Sequence, residues 1–141
     1  MSEKVAFAKI KKKKQAPAKI MVIDDEVEIT DVIQAFLQGA GYTVMAEYSA
    51  MAEIEKVKEF KPDVILLDIM MGGMDGYQIC EELKNHPDTK NTPVLFLTGK
   101  DSRDDSGKSF QVGGDMFIKK PFSGDRLLEI INIVLVSIWR H

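Results

Sequence analysis

Cysteine occurs once, as Cys80, so no disulfide can close within the chain and no thiolate cluster can hold a metal. That scarcity fits a reducing compartment, and the expected location is cytoplasmic. The two histidines, His86 and His141, are too far apart in sequence for zinc spacing. No apolar run reaches the ~18 residues of a membrane span. The nearest, "IINIVLVSIW" near the C-terminus, is short and is interrupted by Asn132 and Ser137. No GxGxxG or GxxxxGKS/T follows the first apolar run, which removes nucleotide binding through a glycine-rich loop. The basic N-terminal residues are followed by no apolar segment, so they are not a secretory signal.

What is present is a chain of 141 residues, 45% apolar and 29% charged, enough for one globular domain with a core of ordinary size. The net charge of −3 conceals an asymmetry. Residues 1–19 hold seven lysines against Glu3, a charge of +6, which leaves −9 on the remainder. The sequence divides into a basic flexible tail, 1–18, ending around Pro17, and an acidic domain, 19–141. A solubilising segment is the favoured role for the tail, ahead of contact with nucleic acid, a membrane surface or a partner.

From residue 19 onward the hydrophobic period alternates. "KIMVI" (19–23), "YTVMAEY" (42–48), "DVILLD" (63–68), "TPVLFLT" (92–98) and "DMFIKK" (115–120) are short apolar runs suited to strands. Between them lie helical patterns. Ile29, Val32, Ile33, Phe36 and Leu37 recur at helical spacing, with Gly41 placed to end that helix. Ser49 can cap a helix closed by Pro62. Residues 76–86 are amphipathic, with Ile79, Cys80 and Leu83 on one side; Asp75 is expected to cap this helix. Residues 102–112 form a weak helix containing Gly107, and 123–139 form the last, capped by Ser123. Five β-α units imply an α/β, flavodoxin-like (βα)5 fold, a doubly wound parallel five-stranded sheet in the order 2-1-3-4-5.

Sites in such sheets lie at the carboxyl ends of the strands. The first strand ends in Asp24 and Asp25, the third in Asp68, the fourth in Thr98 and the fifth in Lys120. Three carboxylates held within a few ångströms repel one another, so positive charge must sit among them. An oxygen-only acidic cluster suits a hard divalent cation. Lys120 brings a second point charge and Thr98 a short hydroxyl donor. A carboxylate nucleophile, a Lewis acid and two groups that hold phosphoryl oxygens together make a phosphoryl-transfer site.

The acidic pair Asp24–Asp25, the "LLDIMM…MDG" segment around Asp68, "FLTG" with Thr98, and "KKPF" with Lys120 directly before Pro121 resemble the receiver domain of two-component response regulators. The likeness spans residues 19–139. It implies that Asp68 accepts a phosphoryl group from the phosphohistidine of a histidine kinase or phosphotransfer protein, with Mg²⁺ or Mn²⁺ as cofactor. By the same resemblance Asp25, Asp68 and the Met70 backbone carbonyl would bind the metal directly, and Asp24 through water. Lys120 would pair with the phosphoryl oxygen, Thr98 would swing in to bond it, and Phe117 would turn inward as an aromatic switch. Such a chain is a signalling module, not an enzyme beyond self-phosphorylation and autodephosphorylation. Its output would run through the face made by the helix at 102–112, the strand at 115–120 and the helix at 123–139, toward a downstream protein or a homodimer. A stand-alone regulator, a relay intermediate and a receiver cut from a longer protein remain open.

The chain departs from the family's pattern in several places. Gly72 and Gly73 stand where the family usually has a proline four residues after the acceptor. They loosen the loop that carries Met70, so Mg²⁺ is expected to bind less tightly without phosphate. The positions that tune hydrolysis hold Met70 and Lys100, neither suited to orienting water, so the phosphoryl group should be long-lived. Between Leu127 and Trp139 only Glu129, Asn132 and Ser137 are not apolar, which is more than one buried stripe needs. Leu128, Val136 and Trp139 are therefore expected on a second face. A phosphohydrolase of the haloacid dehalogenase type, the competing enzymatic reading, needs a second acid where Met70 stands.

Overall fold

The computed structural model describes residues 17–48, 53–71, 74–99, 116–120 and 122–139. The tail through residue 16, Ser49, Gly72 and Gly73, Lys100, the predicted helix at 102–112 and Pro121 lie outside them, as do the side chains of Met70, Asp75 and Trp139.

Five parallel strands form one sheet: β1 (Lys19–Ile23), β2 (Thr43–Glu47), β3 (Val64–Asp68), β6 (Val94–Thr98) and β7 (Met116–Lys119). The order is β2-β1-β3-β6-β7, which is the predicted 2-1-3-4-5 winding. β3 and β6 are buried along their whole length, and β1 is buried after its first residue. The continuous apolar runs therefore become central strands covered on both faces, while β2 and β7 form the partly exposed edges.

Alternation along the strands divides the core in two. Ile20, Val22, Leu66, Leu95, Leu97 and Ile118 face α1 (Val27–Gly39) and α4 (Gly124–Trp139). Met21, Ile23, Ile65, Leu67 and Phe96 face the opposite way, toward α2 (Glu53–Phe60) and α3 (Gly76–Lys84). On that side Ile79, Cys80 and Leu83 are buried, as their spacing predicts, and Tyr77 meets Phe96 edge-on at 5.0 Å.

Local chemistry sets the helix ends. Gly41 adopts φ +100 after α1, a conformation in which glycine is favoured. After α2, Lys61 turns left-handed at φ 55 and donates to the Val57 carbonyl at 2.8 Å, immediately before Pro62. Ser123 Oγ accepts from Arg126 N at 3.1 Å and caps α4.

One expectation, for α4, needs correction, and α1 buries only part of its apolar spacing. In α1 the core takes Thr30, Ile33 and Leu37, whereas Val32 is 69% exposed and Phe36 38%. The apolar stripe is wider than the strip of sheet beneath it. In α4, Leu128 does not lie on a second face. It packs on the core with Val134, while Ile133 points outward and Val136 is half-buried. One element was not predicted: a small antiparallel hairpin, β4 (Met70–Met71) with β5 (Met74–Asp75), directly beyond β3. Each arm has two residues, too few for a periodicity signal.

Candidate functional site at the carboxyl edge of the sheet

β1 and β3 are adjacent and parallel, so the residues that follow their last paired positions emerge side by side. This brings Asp24, Asp25 and Asp68 together, with carboxylate oxygens all within 4.8 Å of one another. Asp24 is fully buried and Asp68 is 3% exposed, whereas Asp25 is open to solvent. The donor set is all oxygen and strongly negative, and it fits a hard divalent cation such as Mg²⁺ or Mn²⁺.

Asp24 is held from several sides. Its amide donates to the Glu47 carbonyl at 3.0 Å, tying it to the end of β2. Its Oδ1 accepts from Glu26 N at 3.0 Å, and its Oδ2 accepts from Lys120 Nζ at 2.9 Å. Thr30 Oγ1 reaches its carbonyl at 3.3 Å. Both carboxylate oxygens of this buried side chain thus have a donor, as a buried polar group requires.

Lys120 follows β7 by one residue, and its amide donates to the Thr98 carbonyl, which fixes it across the end of β6. Its ammonium lies 2.9 Å from Asp24, 3.3 Å from Glu26 Oε1 and 3.8 Å from Asp68 Oδ1. Burial works against its charge, but the hydrogen bond it donates to Asp24 and the negative charges of Asp68, Asp24 and Glu26 outweigh it. Together they hold the lysine above its ordinary pKa. Lys119 is exposed, as alternation along the strand predicts.

Thr98, at the end of β6, is 1% exposed and sits one residue beyond the Asp68–Leu97 register pair. Phe117 pairs in register with Phe96 and rests half-buried against the α2–α3 side of the core. The Met70 backbone belongs to the hairpin, paired with Asp75. Hydrogen bonds from Ile69 N to the Leu97 carbonyl (3.1 Å) and from Gly76 N to the Ile69 carbonyl (2.8 Å) anchor that hairpin beside Asp68.

Three positions at this edge were not singled out in the sequence as parts of the site. Thr30 is fully buried and braces the turn after β1 through the carbonyls of Asp24 and Glu26. Its signal was a hydroxyl within an otherwise apolar helical stripe. Gly76 must be glycine, because a Cβ there would lie 2.3 Å from the Asp68 carbonyl oxygen. Glu26 faces Lys120, and its only signal was a third acid in "DDE".

Residues 20–132 match the family model described as the response regulator receiver domain. Among solved structures, the Vibrio cholerae chemotaxis protein CheY4 is 29% identical with a TM-score of 0.80, over 84% of this chain and 99% of that one. A putative response regulator from Chloroflexus aurantiacus is 28% identical with a TM-score of 0.80, over 85% and 98%. The signal receiver domain of a signal transduction histidine kinase from Syntrophus aciditrophicus is 27% identical with a TM-score of 0.79, over 88% and 94%. The family match covers every strand that delivers a polar group to the carboxyl edge of the sheet, and the chain belongs to the response regulator receiver domain family.

Proposed function

We propose that Asp68 is the phosphoacceptor, taking a phosphoryl group from the phosphohistidine of a histidine kinase or a phosphotransfer protein. Receiver domains are signalling phosphoacceptors, bind Mg²⁺ at an acidic pocket, and interact with such proteins and with downstream effectors. The observation that carries the assignment is the setting of Asp68. Its carboxylate is nearly buried at the end of a central strand, grouped with Asp24 and Asp25, with an ammonium 3.8 Å away. A carboxylate oxygen of Asp68 forms the new P–O bond as the P–N bond of the phosphohistidine breaks, and the imidazole nitrogen leaves with the electron pair.

Asp24, Asp25, Asp68 and the Met70 carbonyl would hold the divalent cation, which supplies charge neutralisation on the phosphoryl oxygens. Lys120 pairs with a phosphoryl oxygen, and Thr98 donates its hydroxyl to another. Movement of Thr98 gives Phe117 room to turn inward, and the face that includes β7 and α4, to which the sequence expectation adds 102–112, carries the change to a downstream protein or to a second copy. Met70 and Lys100 leave an attacking water without an acid or amide to orient it, so the phosphoryl group persists. The basic stretch 1–18 is an extension of the 19–141 receiver and takes no part in the chemistry. Among the described residues no helix is long and apolar enough to cross a membrane, and we assign the reaction to the cytoplasm.

The test is incubation with Mg²⁺ and acetyl phosphate followed by intact mass measurement. One phosphoryl adduct of ~80 Da is expected on the wild type, absent without Mg²⁺ and absent in Asp68→Asn. An adduct of the same yield in Asp68→Asn would refute the assignment.

A further inference from the structure

Glu26 occupies the N-cap position of α1, yet its side chain makes no capping hydrogen bond. Glutamate is a poor choice for a cap, which serine, threonine, aspartate or asparagine fills better. Its carboxylate reaches Lys120 instead, with Oε1 3.3 Å from Nζ. Its backbone is fixed in the wall of the site: the amide donates to Asp24 Oδ1 at 3.0 Å, and the carbonyl accepts from Thr30 N at 3.0 Å and Thr30 Oγ1 at 2.9 Å.

The ammonium of Lys120 is therefore shared. Asp24, with no exposed surface and a 2.9 Å contact, is the nearest of its three partners. Glu26 is the weaker one, with a side chain 53% exposed. Asp68, at 3.8 Å, is beyond direct hydrogen-bond reach. Three acids, Asp24, Glu26 and Asp68, thus share one lysine at the edge where an anionic phosphoryl group must arrive, and Asp25 is grouped with two of them.

We propose that Glu26 is a positioning residue that holds Lys120 off Asp68 and slows phosphoryl acceptance, so that Lys120 exchanges the Glu26 carboxylate for a phosphoryl oxygen when Asp68 reacts. This rests on Asp68 being the acceptor. The half-exposed pair is weak enough to release at each event, and its influence is electrostatic, so it fades with salt.

The experiment measures beryllofluoride affinity at saturating Mg²⁺, and the initial rate of labelling by acetyl phosphate, for the wild type, Glu26→Gln and Glu26→Ser. Serine restores a preferred helix cap while removing the charge, so it separates the charge from any effect on α1. Both variants are expected to bind beryllofluoride about two- to fivefold more tightly and to label faster, the scale of an exposed ion pair. The gain should vanish at ~1 M salt, where the screening length falls to ~3 Å. A wild type that labels normally beside two variants with equal or weaker affinity overturns the role of Glu26 alone. A wild type that takes up neither beryllofluoride nor phosphate overturns the assignment of Asp68 itself, and this inference with it.

Discussion

The two ends of the sheet are built by opposite rules. At the amino end, polar groups meet partners that match them. Lys19 N donates to Asp63 Oδ2 at 2.8 Å, and its ammonium donates to the Phe60 carbonyl at 3.2 Å while lying 5.5 Å above the Phe60 ring. Lys84 Nζ reaches the Thr92 carbonyl at 2.8 Å, Thr89 Oγ1 the Leu83 carbonyl at 2.6 Å, and the Tyr42 hydroxyl the side chain of Asn132. At the carboxyl end, Asp24, Glu26 and Asp68 converge on a single ammonium, with Asp25 beside them. One end satisfies its polar groups, and the other accumulates negative charge. Charge left in excess at a buried edge is what a site needs when its reaction brings in a metal ion and a phosphoryl group.

Removing the cation that Asp24, Glu26 and Asp68 share is the sharpest way to break this contrast. Lys120→Met leaves Asp24 buried without its ammonium, and the expected loss of unfolding free energy is about 3 kcal/mol, the low end for a broken buried pair because the ammonium is partly open to water. The matching change at the amino end, Lys84→Met, removes one hydrogen bond to a carbonyl and should cost about 1 kcal/mol. Urea unfolding without Mg²⁺ measures both. Equal losses would mean that the carboxyl edge is no more dependent on one residue than the rest of the fold.

Removing an acid should separate the two ends by sign. Asp68→Asn relieves repulsion within the three-carboxylate group, and the apo protein should gain about 1 kcal/mol. Asp63→Ala deletes a paired acceptor at the amino end and should lose about 1 kcal/mol. If Asp68→Asn destabilises the apo protein as Asp63→Ala does, the carboxyl edge carries no excess of negative charge.

Much of this was legible in the sequence for a physical reason. A continuous apolar run as short as "VILLD", close behind Pro62, reads as a central strand, and once the strands are parallel their carboxyl ends must share one edge. Asp24, Asp25, Asp68, Thr98 and Lys120 were therefore brought together by counting alone. What escaped depends on distances that sequence does not carry. Gly76 is only the first residue of the predicted helix at 76–86, and packing alone shows the Asp68 carbonyl where its Cβ would be. Glu26 read as one more acid, and only the position of β7 beside β6 brings Lys120 to it from 94 residues away. Val32 and Phe36 share the helical spacing of α1 yet are exposed, because periodicity gives a helix face but not the width of sheet it covers.

High pH gives the finest comparison, because Lys120 at the carboxyl end and Tyr42 at the amino end both have a pKa above the ordinary value. For Lys120, burial opposes the charge but Asp24, Asp68 and Glu26 prevail; for Tyr42, burial alone disfavours the phenolate. The sign is the same for both. Each contribution to stability is complete below the ordinary value, 10.5 for the lysine and 10.0 for the tyrosine, and is lost as pH rises through the higher folded value. Lys120→Met and Tyr42→Phe should each flatten the fall of unfolding free energy over this alkaline window relative to the wild type. Their effects should add in the double variant, since the two groups lie at opposite ends of the sheet and share no partner. Strong non-additivity would mean that the two ends are coupled, and that the carboxyl edge can be tuned from the amino end of the same strands.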